Sequence, residues 1–461
     1  MFDSPKSIMT FGTPHLVFVL ATAVVCGADP IDIGNRLELF VDDHLIADMR
    51  GDVKQQAMQP NPREVVLETG EAWEGNTSGY YTVFEADGLF RMIYRGWQHD
   101  ENMKAAHKEV TCYAESKDGV NWTKPNLGLF DWNGSKQNNI VWLGSGTHNF
   151  TAFRDSNPAA SAESKYKAFG GIGDYGRGLV PFSSPDGIHW TQTQQKPVIS
   201  HGAFDSQNLA FWDTDRNQYR AYWRYFSKSK VRAIRTATST DFLHWENEAD
   251  LTYPEGTPAE HLYTNAVQKY SRAPHLFVGF PTRYEPKSQQ VEPIFMSSRD
   301  GVHFSRHAEA VIPRTAPKDR NHNRSNYMVW GMLHLPNNPN EISVYGTENY
   351  YEKTPGRVRR FVYRVDGFVA LRAGAAGGQI TTKPLAVEGT RLLLNYVVKP
   401  GGSLTVEALN ESGEVIGMSR PLTGDAVDAP VQWEKSPPLS KASWQVRFTM
   451  KNADLYSMQI D

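Results

Sequence analysis

Ser116-Lys117-Asp118-Gly119-Val120-Asn121-Trp122 recurs down the chain as Ser184-Pro185-Asp186-Gly187-Ile188-His189-Trp190, Ser239-Thr240-Asp241-Phe242-Leu243-His244-Trp245 and Ser298-Arg299-Asp300-Gly301-Val302-His303-Phe304. A fainter fifth copy is Arg364-Val365-Asp366-Gly367-Phe368. Asp-Gly between strand-like runs predicts a tight hairpin, because glycine takes positive φ without a Cβ clash and aspartate bonds the local backbone. The aromatic that follows can pack on its own sheet. From Asp118 the next aspartates follow after 68, 55, 59 and 66 residues. Repeats of this length, each with about four strands, mark a β-propeller, and five copies predict five blades.

The 461 residues suffice for more than one domain. A net charge of −3 gives no general attraction to nucleic acid. Aromatics are abundant, with 22 Phe, 20 Tyr and 12 Trp, and this suits short strands and turns. Lys6, the apolar run Leu16 to Val25 and the small residues before Asp29 read as a secretory signal peptide over residues 1–28. That run is too short to span a membrane. A lipid anchor on Cys26 ranks second, since Val25 is bulky for the position before such a cysteine. Cleavage would leave Cys112 with no partner for an intrachain disulfide.

The expected fold is all-β: a five-bladed propeller over residues 29–374, then a β-sandwich over 375–461. The lead-in strand Leu37 to Ile46 is a candidate for closing the ring beside the last blade. Each blade is expected to pair an inner hairpin with an outer Asp-Gly hairpin. The repeat stops near Gly374 to Gly378, and Arg391 to Val398, Ser403 to Leu409 and Trp444 to Met450 then alternate as sandwich strands do.

In a propeller, residues just before the first strand and just after the second share one end of the central channel, and the third strand leaves from that end. This sorts the polar residues. Strand starts give Glu74, His148, Asp205, Glu260, His261 and Asn326; strand ends give Arg95, Asp174, Arg224, Arg283 and Glu348. Gln207 and Asn208 accompany Asp205 as it enters an inner strand. Asp155 aligns with Asp213 at the far end of an inner strand, so a turn-forming role is expected there. In Asp42-Asp43, adjacent strand residues point to opposite faces, which favours structure over catalysis. The run Arg320-Asn321-His322-Asn323 lacks spaced metal ligands. No metal site and no cofactor are expected.

The repeated Ser-x-Asp-Gly-x-x-Trp unit, the five blades and the C-terminal sandwich resemble the five-bladed propeller clan of glycoside hydrolases, families 32, 43 and 68. The chain is also similar to secreted bacterial proteins that carry Asp205-Ser206-Gln207-Asn208, Glu260-His261-Leu262-Tyr263-Thr264-Asn265-Ala266 and Asp454-Leu455-Tyr456-Ser457. Where family 32 has its nucleophile motif, this chain reads Trp73-Glu74-Gly75-Asn76-Thr77, and the Glu-Cys acid motif is missing. The resemblance therefore implies a carbohydrate partner and glycoside hydrolysis but hands over no catalytic residues.

The residues themselves nominate Asp205 as base or nucleophile and Glu260 or Glu348 as acid, with Glu74 in reserve. Glu74, Arg95, His148, Gln207, Asn208, Arg224, His261, Arg283 and Asn326 are nominated as binding residues. A sugar-binding propeller without catalysis and a polysaccharide lyase are the alternatives. Arg95, Arg224 and Arg283 suit an acidic glycan, unless they pair with the nearby carboxylates. Mass spectrometry of the exported protein is expected to show Asp29 as its first residue; a mature chain still holding residues 1–28 would refute the signal peptide.

Overall fold

The computed structural model describes Met1 and residues 29–173, 176–313, 326–437 and 443–461, without the side chains of 172–176. The expected signal peptide, Asp174 and the run 320–323 lie outside the described residues.

Five blades surround an axis. Blade one is Gly79–Ala86, Leu89–Gly96, Val110–Ser116 and Trp122–Thr123; blade two is Gly146–Arg154, Tyr166–Gly173, Gly176–Ser184 and Thr191–Gln192. Blade three is Leu209–Asp213, Gln218–Phe226, Arg232–Ser239 and Glu246–Asp250. In blade four the second strand is split into Ala273–Gly279 and Thr282–Glu285, which share the third strand Gln290–Ser298. The break falls at Phe280-Pro281, where proline has no N–H for the ladder. Blade five pairs Glu341–Glu348 with Arg357–Arg364 and takes its outer strand, Asn61–Glu68, from the start of the chain. The ring is thus closed by pairing its two ends. The closing strand differs from the one expected: Glu38 and Leu39 pair instead with Met458 and Ser457 of the C-terminal domain.

The repeated phrase forms a hydrogen-bonded cage between the third and fourth strands. Ser116 Oγ accepts from the N–H groups of Asp118 and Gly119 and donates to Asp118 Oδ1; that oxygen also accepts from the N–H groups of Val120 and Asn121 at 2.8 and 2.7 Å. The indole of Trp122 donates to the Gly119 carbonyl. The copies at Ser184, Ser239 and Ser298 repeat the Ser-Asp bonds, with His189, His244 and His303 donating to the second carboxylate oxygen. Serine and aspartate thereby satisfy donors that a two-residue hairpin would pair across strands. Hence the loop is a longer bend than the tight hairpin expected. Gly119, Gly187 and Gly301 have φ of 72, 78 and 80°, and Phe242 holds the same left-handed position at 71°.

Each cage docks on the second strand of the preceding blade. Tyr345 of blade five donates to the Gly119 carbonyl at 2.7 Å, and Tyr222 of blade three to the Gly301 carbonyl at 2.9 Å. Arg91 of blade one donates to the Asp186 carbonyl. Phe242, lacking the glycine, stacks on Phe169 of blade two with centroids 4.7 Å apart.

The second domain is built on three long strands, Val369–Thr382, Leu392–Leu409 and Gln445–Ile460, joined by Ile46–Ala57 from the lead-in. Their register shifts together near Gly377-Gly378, Gly401-Gly402 and Asn452. Each strand therefore bends and serves both layers of the sandwich. Gly51 lies at the same line, where a Cβ would stand 2.7 Å from the Gly377 carbonyl oxygen. The boundary expected at residue 375 falls inside the strand Val369–Thr382. The fifth copy of the phrase is the joint: Asp366, fully buried, accepts from Tyr270 at 2.5 Å and Arg272 at 3.0 Å in blade four, and from Ser457 in the sandwich. Cys112 is buried, and burial pushes its thiol well up.

Burial pushes the Asp300 carboxyl up, but bonds from the His303 and Val302 N–H groups and the His303 ring outweigh it and hold it at about 2. A carboxyl depressed in the fold contributes stability that is complete above its unfolded value and is lost as pH falls through the folded one. Asp300→Ala is expected to cost about 1 kcal/mol at neutral pH, modest because the group is half-exposed. In urea titrations this deficit should shrink from about pH 4 to about pH 2. A deficit unchanged over that range would show that the charge is not what holds the turn.

Candidate functional site

The end of the axis where inner strands begin and second strands finish holds a pocket of about 220 Å³. It is lined by side chains from all five blades, among them Tyr80, Arg95 and Trp97 of blade one, His148 of blade two, and Asp205, Gln207 and Arg232 of blade three. Blades four and five add Tyr263, Tyr284, Tyr327, Tyr350 and Tyr351. Two entries are bulged: pairing skips from Gly79 to Thr82 in blade one and from Gly146 to Thr151 in blade two. Tyr80, at φ 53°, and His148 occupy those bulges, a device that re-aims side chains at a sheet end.

Asp205, His148 and Glu109 form a line. His148 Nδ1 lies 2.7 Å from Glu109 Oε1, and its Nε2 3.2 Å from Asp205 Oδ1. Arg224 Nη2 stands 3.6 Å from Asp205 Oδ2, and Arg95 Nη1 3.6 Å from Glu109 Oε1. Arg95 also donates to the Thr77 carbonyl and Tyr350 hydroxyl, and its guanidinium sits 4.7 Å from the Tyr80 ring centroid. Burial opposes charge on His148, but the bonds to Asp205 and Glu109 win and raise it above its ordinary 6.5. Burial likewise pushes Asp205 up, yet His148 and Arg224 lower it below 3.8. The line runs carboxylate, imidazole, carboxylate, with Asp205 the exposed member, its side chain 57% accessible.

Of the residues nominated from sequence, Asp205, His148, Arg95 and Gln207 line this pocket, and Arg224 touches it through Asp205. Gln207 donates to the Tyr81 carbonyl at 2.9 Å. Glu260, His261 and Arg283 instead line an adjoining depression that shares Tyr284 as a wall. There Glu260 is paired with Arg283 at 3.0 Å and Arg306 at 3.1 Å. Glu348 is fully buried between Arg357 and Arg359, both at 2.6 Å. Glu74 is buried inside blade one, bonded by Tyr94 and Lys124. Asn208 ties its own loop through the carbonyls of Phe204 and Ser206, and buried Asn326 bonds by its backbone to Thr347. Asp155 bonds Asn157 N–H, Lys167 and Tyr219, and Asp42 pairs with Arg299. Both act within the scaffold.

Glu109 and Arg232 escaped the sequence reading, although both flank the start of a third strand, Val110–Ser116 and Arg232–Ser239. The third strand leaves the same end of the channel, so the rule used for starts and ends reaches them too.

No known family profile matches the chain, and no curated protein does. Among solved structures, the chain is similar to a protein described as a glycoside hydrolase, at 13% identity over 66% of this chain and 92% of that one, with a TM-score of 0.47. It is also similar to a family 43 arabinoxylan arabinofuranohydrolase from Bacillus subtilis, at 12% identity over 85% and 97%, TM-score 0.45. A third is a family 32 β-fructofuranosidase of Bombyx mori, at 9% over 88% and 94%, TM-score 0.42. The structural neighbours are thus five-bladed propeller glycoside hydrolases. At such identities no residue role passes from them to this chain.

Burial separates scaffold from site in a measurable way. Glu348→Gln, which strands two arginines against a buried neutral group, is expected to cost about 3 kcal/mol or more. Asp205→Asn, at an exposed carboxylate, should cost under about 1 kcal/mol. Equal losses in urea unfolding would restore Glu348 as a candidate for catalysis.

Proposed function

We propose that the protein is an exported glycosidase-type enzyme that acts on an oligo- or polysaccharide, acidic in character, in the axial pocket. The observation that carries this reading is the exposed carboxylate of Asp205 in line with His148 and Glu109, under a ring of tyrosines. Hydrolysis of a glycosidic bond needs a proton for the leaving oxygen and a carboxylate acting at the anomeric carbon or on water. Asp205, held ionised, suits the second task. For the first, the acids nominated from sequence stand elsewhere, Glu260 and Glu348 in ion pairs with arginines. His148 is the proton-bearing group at hand, and Glu109 behind it stabilises the imidazolium and fixes the ring. The tyrosine faces offer the sugar apolar platforms with polar rims.

A lyase would draw its base from a tyrosine or a neutral histidine. Burial pushes Tyr350 up to about 12 despite Arg95 beside it, and the bonds to Asp205 and Glu109 favour the charged form of His148 over the neutral one. Both conditions work against proton abstraction and favour the hydrolase. The export assignment rests on Lys6, the apolar run Leu16 to Val25 and the small residues before Asp29.

The test is a screen of neutral and acidic glycans with product analysis. Saturated reducing ends support the hydrolase, unsaturated sugars the lyase, and binding without turnover a sugar-binding protein. Asp205→Asn and His148→Ala are each expected to lower turnover about 10²- to 10⁴-fold. The active form has His148 protonated and Asp205 ionised. The rate should therefore fall as pH rises through a value above 6.5 and fall again as pH drops through one below 3.8. Unchanged turnover in Asp205→Asn would sink the assignment.

A further inference from the structure

The three arginines singled out by sequence are engaged: Arg95 with Glu109, Arg224 with Asp205, and Arg283 with Glu260 and Glu292 at 3.0 and 2.6 Å. Arg232 lines the pocket differently. Among the described residues no carboxylate lies within 4.0 Å of its guanidinium, and its buried Nε has no hydrogen-bond partner. It is framed by aromatic faces, with ring centroids of Tyr284 at 4.8 Å, Phe226 at 5.4 Å and Tyr263 at 5.5 Å. His261 Nδ1 accepts from the Arg232 backbone N–H at 3.2 Å and lies 3.3 Å from Nη1. The imidazole proton is thereby placed on Nε2, and a neutral ring steadies the cation without cancelling its charge. Arg95 pairs with Glu109 and Arg224 with Asp205, and Arg232 adds a third guanidinium to these two carboxylates around the pocket. Positive charge is in excess in the pocket of a chain whose net charge is −3.

A partly desolvated guanidinium is costly without a counter-charge, and its planar fork matches a carboxylate or sulfate through paired hydrogen bonds. We propose that Arg232 binds an anionic group, carboxylate or sulfate, carried by the sugar, and that it sets the preference for acidic over neutral glycans. This rests on reading the pocket as a sugar site. Tyr263 is in reach of both Arg232 and Arg224, the latter 4.5 Å from its ring centroid. A sugar resting against Tyr263 can therefore present its anion to Arg232 and a ring carbon to Asp205.

The probes are methyl glucuronide against methyl glucoside, and galactose 6-sulfate against galactose, titrated by calorimetry into the wild type, Arg232→Gln and Arg232→Lys. The wild type is expected to prefer one or both anionic probes, and to lose that preference as salt rises. Which series shows it tells carboxylate from sulfate. Arg232→Gln should weaken the anionic probe about 10- to 100-fold and leave the neutral one unchanged, while Arg232→Lys retains part of the preference. The proposal is overturned if no anionic probe binds, if neutral and anionic probes bind alike, or if Arg232→Gln weakens both equally. Should Arg232→Gln fail to fold, the Lys variant and the salt series on the wild type decide. Turnover, measured beside binding, separates the two readings. Anion-selective binding with no turnover by any form removes the glycosidase and keeps Arg232, whereas equal turnover of neutral and acidic glycans removes Arg232's role and keeps the glycosidase.

Discussion

The docking of each Ser-x-Asp cage onto the blade before it fixes how the five blades stand around the axis. A four-stranded blade cannot bury both faces by itself, and its partner across the gap must hold a defined angle for inner strands to converge. The cages supply that angle with a directed contact at the outer rim. Tyr345 to the Gly119 carbonyl joins blades five and one, and Tyr222 to the Gly301 carbonyl joins blades three and four. Where Phe242 replaces glycine, ring stacking on Phe169 takes over from the hydrogen bond. A pocket assembled from side chains of all five blades depends on these outer contacts for its shape.

Two buried carboxylates extend the same constraint to the second domain. Asp366 joins blade four to the sandwich through Tyr270, Arg272 and Ser457. Glu38, held at about 2 against burial by His275, Arg299 and Arg36, ties the lead-in to blade four. The lead-in thus serves three partners in order: the sandwich with Ile46–Ala57, blade five with Asn61–Glu68, and blade one by continuity.

The repeat was legible because its residues act locally. Serine, aspartate, the residue three beyond and the aromatic make their bonds within seven positions, so the spacing survives in one dimension. The end of the channel holding Asp205, His148 and Arg95 was legible too, since it follows from strand direction alone. Ring closure was not, because Leu37 to Ile46 and Asn61–Glu68 both read as strands and only long-range pairing assigns them. Nor could the sequence rank Glu74, Glu348 and Asp205. Each flanks an inner or second strand, and what separates them is which cations the fold brings near, Arg357 and Arg359 for Glu348 and Lys124 for Glu74.

That separation decides where chemistry can happen. A carboxylate sealed between two arginines has its charge cancelled and its lone pairs occupied, and meeting a sugar would require breaking a buried ion pair first. Asp205 has a longer contact with Arg224, at 3.6 Å, and a hydrogen-bonded histidine rather than a guanidinium as its nearest partner. Its charge is maintained without being spent, and more than half of its side chain faces solvent. His148 shares this intermediate state, its charged form favoured by two carboxylates while its ring stays titratable, as an arginine is not. The pocket therefore sets an exposed carboxylate, a titratable imidazole and, among the described residues, an arginine not paired to a carboxylate within walls of tyrosine.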